Sequence, residues 1–189
     1  MPSIIIVGNG PSLLEKPNGS IINSYDIVVR FNAFAIKGYE EHVGTKTDYW
    51  FNTINFQDKD SEIRIQNRYK RVYLHSWQWD PEKDLLYKTF VAHYNKTGDE
   101  AELIKTTRKT IEELRDFTQD KDYSTYSTGA MAIWMLCKEF ELVTITGFDW
   151  WNSDQHHYSD KAPRGRIHKP EKELRFINTL VEAGKVKFL

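Results

Sequence analysis

The stretch Ser3-Ile4-Ile5-Ile6-Val7-Gly8-Asn9-Gly10-Pro11-Ser12 decides the fold class. Ile4 to Val7 are all β-branched, and such a run suits a short strand buried on both faces, as the strands of parallel sheets are. It feeds directly into a glycine turn. A strand followed by such a turn can bring backbone N–H groups close to a phosphate or nucleotide. Working outward, Asp26–Phe31 reads as a second strand, Asp48–Asn52 as a third, Arg71–His75 as a fourth and Leu142–Thr146 as a fifth, ending in Gly147. Helical spacing is expected over Glu100–Phe117, where Leu103, Ile104, Ile111 and Leu114 supply the apolar positions. Gly129–Phe140 reads as an apolar helix capped by Ser127-Thr128. Glu171–Ala183 reads as a terminal helix opened by Pro170 and closed by Gly184, and Val186–Leu189 as a last short strand. Strands alternating with helices predict one α/β domain spanning residues 1–189: a Rossmann-like, mostly parallel sheet with helices on both faces.

Ligands of open α/β sheets bind outside the carboxyl ends of the strands. The Gly8-Asn9-Gly10 turn, the Phe31-Asn32 strand end and the Gly147-Phe148-Asp149 corner are therefore expected to converge on one crevice. The polar stretch Trp151–Arg166 carries no periodic pattern, and a loop of that length in a compact domain is functional or disordered.

Composition narrows the partners. Lys and Arg total 26 against 27 Asp and Glu, which gives no electrostatic reason to expect nucleic acid or an anionic membrane. Hydrophobic residues make up 40% and charged residues 28% of the chain, the balance of a globular protein. Cys137 is the single cysteine and falls in an apolar helical run, so it is expected to be buried and inert. With no internal disulfide possible, no apolar stretch of spanning length and no cleavage pattern after Met1-Pro2-Ser3, a cytoplasmic location without a transmembrane segment is expected.

Three segments carry chemistry. In the first, a dinucleotide fingerprint would place a third glycine where Leu13 stands, and no Gly-Lys-Ser/Thr ending follows. A nicotinamide enzyme and an ATPase-type phosphate loop are both disfavoured. The second is Tyr126-Ser127-Thr128-Gly129, whose hydroxyls and free N–H groups at a helix start suit a carboxylate or phosphate, or else form a plain cap. The third is His156-His157-Tyr158-Ser159-Asp160 followed by His168-Lys169-Pro170-Glu171-Lys172-Glu173. Its spacing fits no metal site well. Acid–base work fits better, since His titrates near neutrality and Glu173 could orient or polarise it.

Together these segments resemble the sialyltransferases of glycosyltransferase family 29, the animal-type group. Val7-Gly8-Asn9-Gly10 through Asp26–Asn32 to Val43-Gly44-Thr45-Lys46-Thr47 resembles the family's long motif. Ser127-Thr128-Gly129 through Thr146-Gly147-Phe148 resembles its short motif. His157-Tyr158-Ser159-Asp160 resembles the third motif, and His168 with Glu173 the final His-x-x-x-x-Glu. The resemblance implies a sialyltransferase-type variant of the GT-A fold. It implies an inverting, metal-independent transfer of sialic acid from CMP-sialic acid to a hydroxyl of a glycan or glycolipid, with no cofactor. Gly8, Asn9, Gly10 and Asn32 would contact the CMP phosphate and ribose. Ser127, Thr128 and Gly129 would hold the donor near its carboxylate or nucleotide. Phe148, Asp149, Trp150, Tyr158 and Glu173 would complete the substrate site. His157 would donate to the departing phosphate, and His168 would be the general base.

Two departures stand out. A lone Cys137 cannot form the disulfide that joins the long and short motifs in animal members, and the region between those motifs is short. Acceptor and linkage are therefore not inherited. CMP-Kdo, or another CMP-linked ulosonic acid, is an alternative donor, and a non-catalytic nucleotide-binding module is a further alternative.

Overall fold

The computed structural model describes residues 1–53, 68–75, 88, 91–92, 94–95, 101–119, 126–150, 155, 157–159 and 169–189. Among them lie strands β1 (Ile4–Val7), β2 (Ile27–Phe31), β3 (Tyr49–Thr53), β4 (Arg71–His75), β5 (Glu102–Lys105), β6 (Val143–Thr146) and β7 (Val186–Phe188). These pair in the order β5-β4-β3-β2-β1-β6-β7, and every pairing is parallel. Helices α1 (Gly19–Asn23), α2 (Glu40–Val43), α3 (Arg108–Thr118), α4 (Thr128–Glu139) and α5 (Pro170–Glu182) accompany a 3-10 turn at Pro11–Glu15.

Alternation along each strand divides the core into two layers. Ile4, Ile6, Val29, Phe31, Phe51, Tyr73 and Ile145 face the cluster that α3, α4 and α5 cover. On the opposite face, Ile5, Val7 and Val28 pack on Leu13, Ile22 and Val43 from the 3-10 turn, α1 and α2. Trp50, Val72 and Leu74 form a third cluster with Phe34, Tyr69 and Tyr94. Helices on both faces of a parallel sheet are the expected arrangement. Cys137 is buried, and burial pushes its thiol up to about 12, so it is inert at neutral pH.

The segment expected to be one helix over Glu100–Phe117 is instead a strand followed by a helix. Leu103 and Ile104, which looked like one helical stripe, lie on opposite faces of β5. Leu103 packs with the Trp50 cluster and Ile104 with the Tyr73 cluster. Pairing of Val72 with Leu103 and Tyr73 with Ile104 overrides the helical propensity of Ala-Glu-Leu-Ile-Lys. The helix starts only after Thr107, whose side chain accepts from the Thr110 N–H.

Strands β1 to β5 succeed one another to one side of β1, whereas β6 and β7 lie on the other. The order therefore reverses between β1 and β6, and a crevice opens outside the carboxyl ends of strands at such a switch point.

His75, at the end of β4, is 2% exposed, with Nδ1 3.0 Å from Thr106 Oγ1. Burial pushes its pKa down to about 4, below the ordinary value of about 6.5 for an unfolded chain. The folded form holds the ring neutral, so the unfolded chain takes up the proton first as pH falls. Stability is therefore undiminished above about pH 6.5 and falls between that pH and about 4, by up to about 3 kcal/mol. Glu173, whose burial raises its pKa, acts in the opposite sense. The difference between wild type and His75→Asn isolates the histidine. Urea titrations at pH 7 and pH 5 should show the wild type losing more stability than His75→Asn, and equal losses would rule the effect out.

Candidate active site

The glycines after β1 are required by packing. Gly8 donates to Thr146 O at 2.7 Å and Gly10 to Gly147 O at 2.9 Å. A Cβ on Gly8 would lie 2.1 Å from Gly147 O, and one on Gly10 would lie 2.4 to 2.8 Å from the Asp149 carboxyl atoms. The turn is thus pressed against the corner that ends β6. Asp149 fastens it there: Oδ2 accepts from the Ser12 N–H at 3.0 Å, and Oδ1 accepts from the Ser12 hydroxyl.

Asn9, between the two glycines, is 7% exposed. Its Nδ2 donates to Phe31 O and Ala33 O, both at 3.3 Å. Two carbonyl partners set the orientation of the amide. Its Oδ1 is buried without a hydrogen-bond partner among the described residues. A buried acceptor left in this state is costly unless a ligand or water supplies a donor.

Asn32 follows β2 with φ 49°, a left-handed conformation that Asn tolerates better than most residues. Its Oδ1 accepts from Thr53 N at 2.9 Å and Thr53 Oγ1 at 3.0 Å. Its Nδ2 donates to Thr128 Oγ1 at 3.3 Å, and its carbonyl accepts from Trp50 Nε1 at 3.2 Å. Asn32 therefore ties the ends of β2 and β3 to the start of α4.

That helix start is built in an unusual way. Ser127 is the cap, with Oγ accepting from the Ala130 N–H at 3.1 Å. Glu173, in the first turn of α5, accepts from the Ser127 N–H at 2.6 Å and from its hydroxyl at 2.7 Å. This completes a capping box whose acidic partner comes from another helix. Glu173 is 7% exposed. Burial raises its pKa, against the lowering effect of the two Ser127 bonds. The carboxylate expected to orient a histidine therefore has both oxygens engaged by Ser127.

Aromatic rings wall the other side. Phe148 lies 5.7 Å from Phe31 and 5.9 Å from Trp150, stacked on the latter at 28°. Trp150 has φ 40° and meets Phe188 edge-on. A Cβ on Gly129 would sit 2.7 Å from the Phe148 ring, so this glycine lets the helix start approach the aromatic wall.

These segments enclose one cleft of about 210 Å³ at the switch point of the sheet. The structure thus brings the glycine turn, the end of β2 and the Gly147 corner together. Asn9, Gly10, Asn32, Ser127, Thr128, Gly129, Phe148, Asp149, Trp150, His157 and Glu173 line it. Gly8 and Tyr158, read as substrate contacts, are not among the lining residues. Gly8 packs on Gly147, and Tyr158 is 4% exposed within the cluster of Leu13, Ile22 and Val43. Pro11, Phe31, Gly147 and Gln155 join the lining; they lie in segments expected at the crevice or in the unpatterned loop, but the sequence singles out none of them as a contact. His168 and most of the Trp151–Arg166 stretch lie outside the described residues.

Residues 3–185 match the model of glycosyltransferase family 29 (sialyltransferase). The chain belongs to this family. It is 26% identical over 210 residues to a CMP-N-acetylneuraminate-β-1,4-galactoside α-2,3-sialyltransferase of Homo sapiens, covering 95% of this chain and 55% of that protein. A β-1,6-galactosyltransferase of Arabidopsis thaliana is 24% identical over 213 residues, covering 94% of this chain and 50% of that one. The family 29 chain thus spans about half the length of these relatives. Its fold matches a mammalian sialyltransferase crystallised with Gal-β-1-3GalNAc-ortho-nitrophenol, with a TM-score of 0.75 at 19% identity, over 100% of this chain and 69% of the other.

Proposed function

We propose that this family 29 chain transfers sialic acid from CMP-sialic acid to a hydroxyl of a glycan acceptor, inverting the anomeric centre without a metal ion. One observation carries the reading. At the start of α4 the N–H groups of Thr128 and Gly129 find no acceptor among the described residues, on the wall of a cleft also lined by Asn9, whose Oδ1 is buried without a partner among those residues. Open N–H groups at a helix N-terminus suit an anion. A buried lone acceptor suits a hydroxyl or amino donor. A nucleotide offers both, and the aromatic wall suits a base or sugar face.

On this reading the donor phosphate lies toward Thr128 and Gly129, with His157 donating to it as charge develops. His168 takes the proton from the acceptor hydroxyl. The acceptor oxygen attacks the anomeric carbon, a new C–O bond forms, and the bond to CMP breaks with its electron pair leaving on the phosphate. Attack opposite the leaving group inverts the centre. The name of the human relative supports sialic acid as the transferred sugar and a galactoside as the acceptor. The Arabidopsis relative, named for galactosyl transfer, shows that the family name alone does not choose the donor.

The test is release of CMP from CMP-sialic acid in the presence of a galactoside acceptor and EDTA, with CMP-Kdo and UDP-galactose as competing donors. Turnover with CMP-sialic acid in EDTA is expected. Preference for CMP-Kdo or UDP-galactose would replace the donor. Activity lost in EDTA and restored by magnesium or manganese would replace the metal-free mechanism.

A further inference from the structure

His157 lines the cleft yet belongs to no helix or strand. A side chain in irregular backbone needs an external anchor if it is to meet a substrate in one geometry. The neighbouring residue supplies one. Tyr158 donates its backbone N–H to Asn9 O at 2.9 Å, which ties this segment to the glycine turn. Its phenol oxygen accepts from the Ala35 N–H at 3.1 Å and donates to the Ala35 carbonyl. The ring meets Tyr39 edge-on, 5.1 Å between centroids at 77°. One hydroxyl thus satisfies both backbone groups of Ala35, and the ring is sunk among Leu13, Ile22 and Val43. Gln155 adds a bond from Nε2 to the His157 carbonyl at 2.6 Å.

We propose that Tyr158 is a positioning residue, fixing His157 over the cleft through the paired hydrogen bonds of its hydroxyl to Ala35. Asn9 lines the same cleft, so the clamp sets the histidine's height relative to the glycine turn. The proposal rests on the reading of His157 as the group that meets the donor phosphate. Misplacement of a reacting group by about 1 Å can cost on the order of 10²-fold in rate.

The test is a double-mutant cycle on initial rates with CMP-sialic acid, using Tyr158→Phe, His157→Ala and the double variant. Phenylalanine keeps the ring in its apolar seat and removes only the hydroxyl. Tyr158→Phe is expected to lower kcat by about 10- to 100-fold. In the His157→Ala background the same change should cost less than about twofold, because a positioner has nothing left to position. A residue that only supports the fold would cost the same factor in both backgrounds, and that result would overturn the proposal. So would a Tyr158→Phe enzyme with wild-type kcat. If His157→Ala itself is fully active, the reading of His157 fails and the proposal falls with it. An impaired His157→Ala with additive effects sinks only the clamp. Should Tyr158→Phe fail to fold, Tyr39→Leu loosens the same seat while leaving the hydroxyl. Its smaller loss must likewise vanish without His157, and persistence would count against the clamp.

Discussion

His168→Ala is expected to leave CMP binding near the wild-type level and lower turnover by about 10²- to 10⁴-fold. A sugar hydroxyl is a poor nucleophile until a base takes its proton, whereas CMP is already a good leaving group. On the proposed mechanism, loss of the base falls on kcat and leaves CMP binding in place. The assignment comes from the resemblance of His168 and Glu173 to the final motif of family 29. The described residues add that Glu173 stands in the first turn of α5 with both oxygens on Ser127, so that the helix following His168 is docked on the cleft. Calorimetric titration with CMP, paired with initial rates, separates the two quantities. Retention of most of the activity would remove His168 from the mechanism and leave the resemblance describing a fold.

Gly8→Ala is expected to destabilise the protein by about 3 kcal/mol, the upper part of the usual range for overpacking. The added Cβ would lie 2.1 Å from Gly147 O and 2.6 Å from its carbonyl carbon. Both atoms are backbone and cannot rotate away. Gly8 is not among the glycines with positive φ, so the cost is steric. Gly38→Ala is the matching control, since Gly38 has φ 87° with nothing within 4 Å of a new Cβ. It carries only the conformational penalty, about 1–2 kcal/mol. Urea midpoints of the two variants decide the matter: if Gly8→Ala is no worse than Gly38→Ala, β1 and β6 can separate and the turn is not packed as described.

Much of the architecture was legible because it rests on local chemistry. The β-branched run at Ile4–Val7 and the glycine after it, the apolar helix behind Ser127, and Pro170 opening α5 each follow from neighbours in sequence. Glu102–Lys105 was not legible, because Leu103 and Ile104 satisfy a helical stripe equally well until β4 claims them. The helices at Gly19–Asn23 and Glu40–Val43 are too short to show a period. The segments that meet at the cleft were readable from their places at strand ends. The partners within it were not. Glu173 reaches Ser127 across 46 positions, and Tyr158 reaches Ala35 across 123. Nothing local distinguishes a glycine needed for close packing at Gly8 from one needed for a ligand.

The bond from Ser12 to Asp149 spans 137 positions, and that span governs how the protein comes to exist. During synthesis β1 is made before β6 and stays an incomplete edge until β6 follows. Ile5 and Ile6 cannot meet Thr144 and Ile145 before every residue between them has been synthesised. Contacts so distant in sequence carry a large loop-closure cost and slow the search for the native state. A partly made chain holds an apolar, unpaired strand beside the unfinished cleft, the kind of species that aggregates or recruits chaperones. The cleft is consequently a late product of folding, and it cannot form until β1 and β6 have joined.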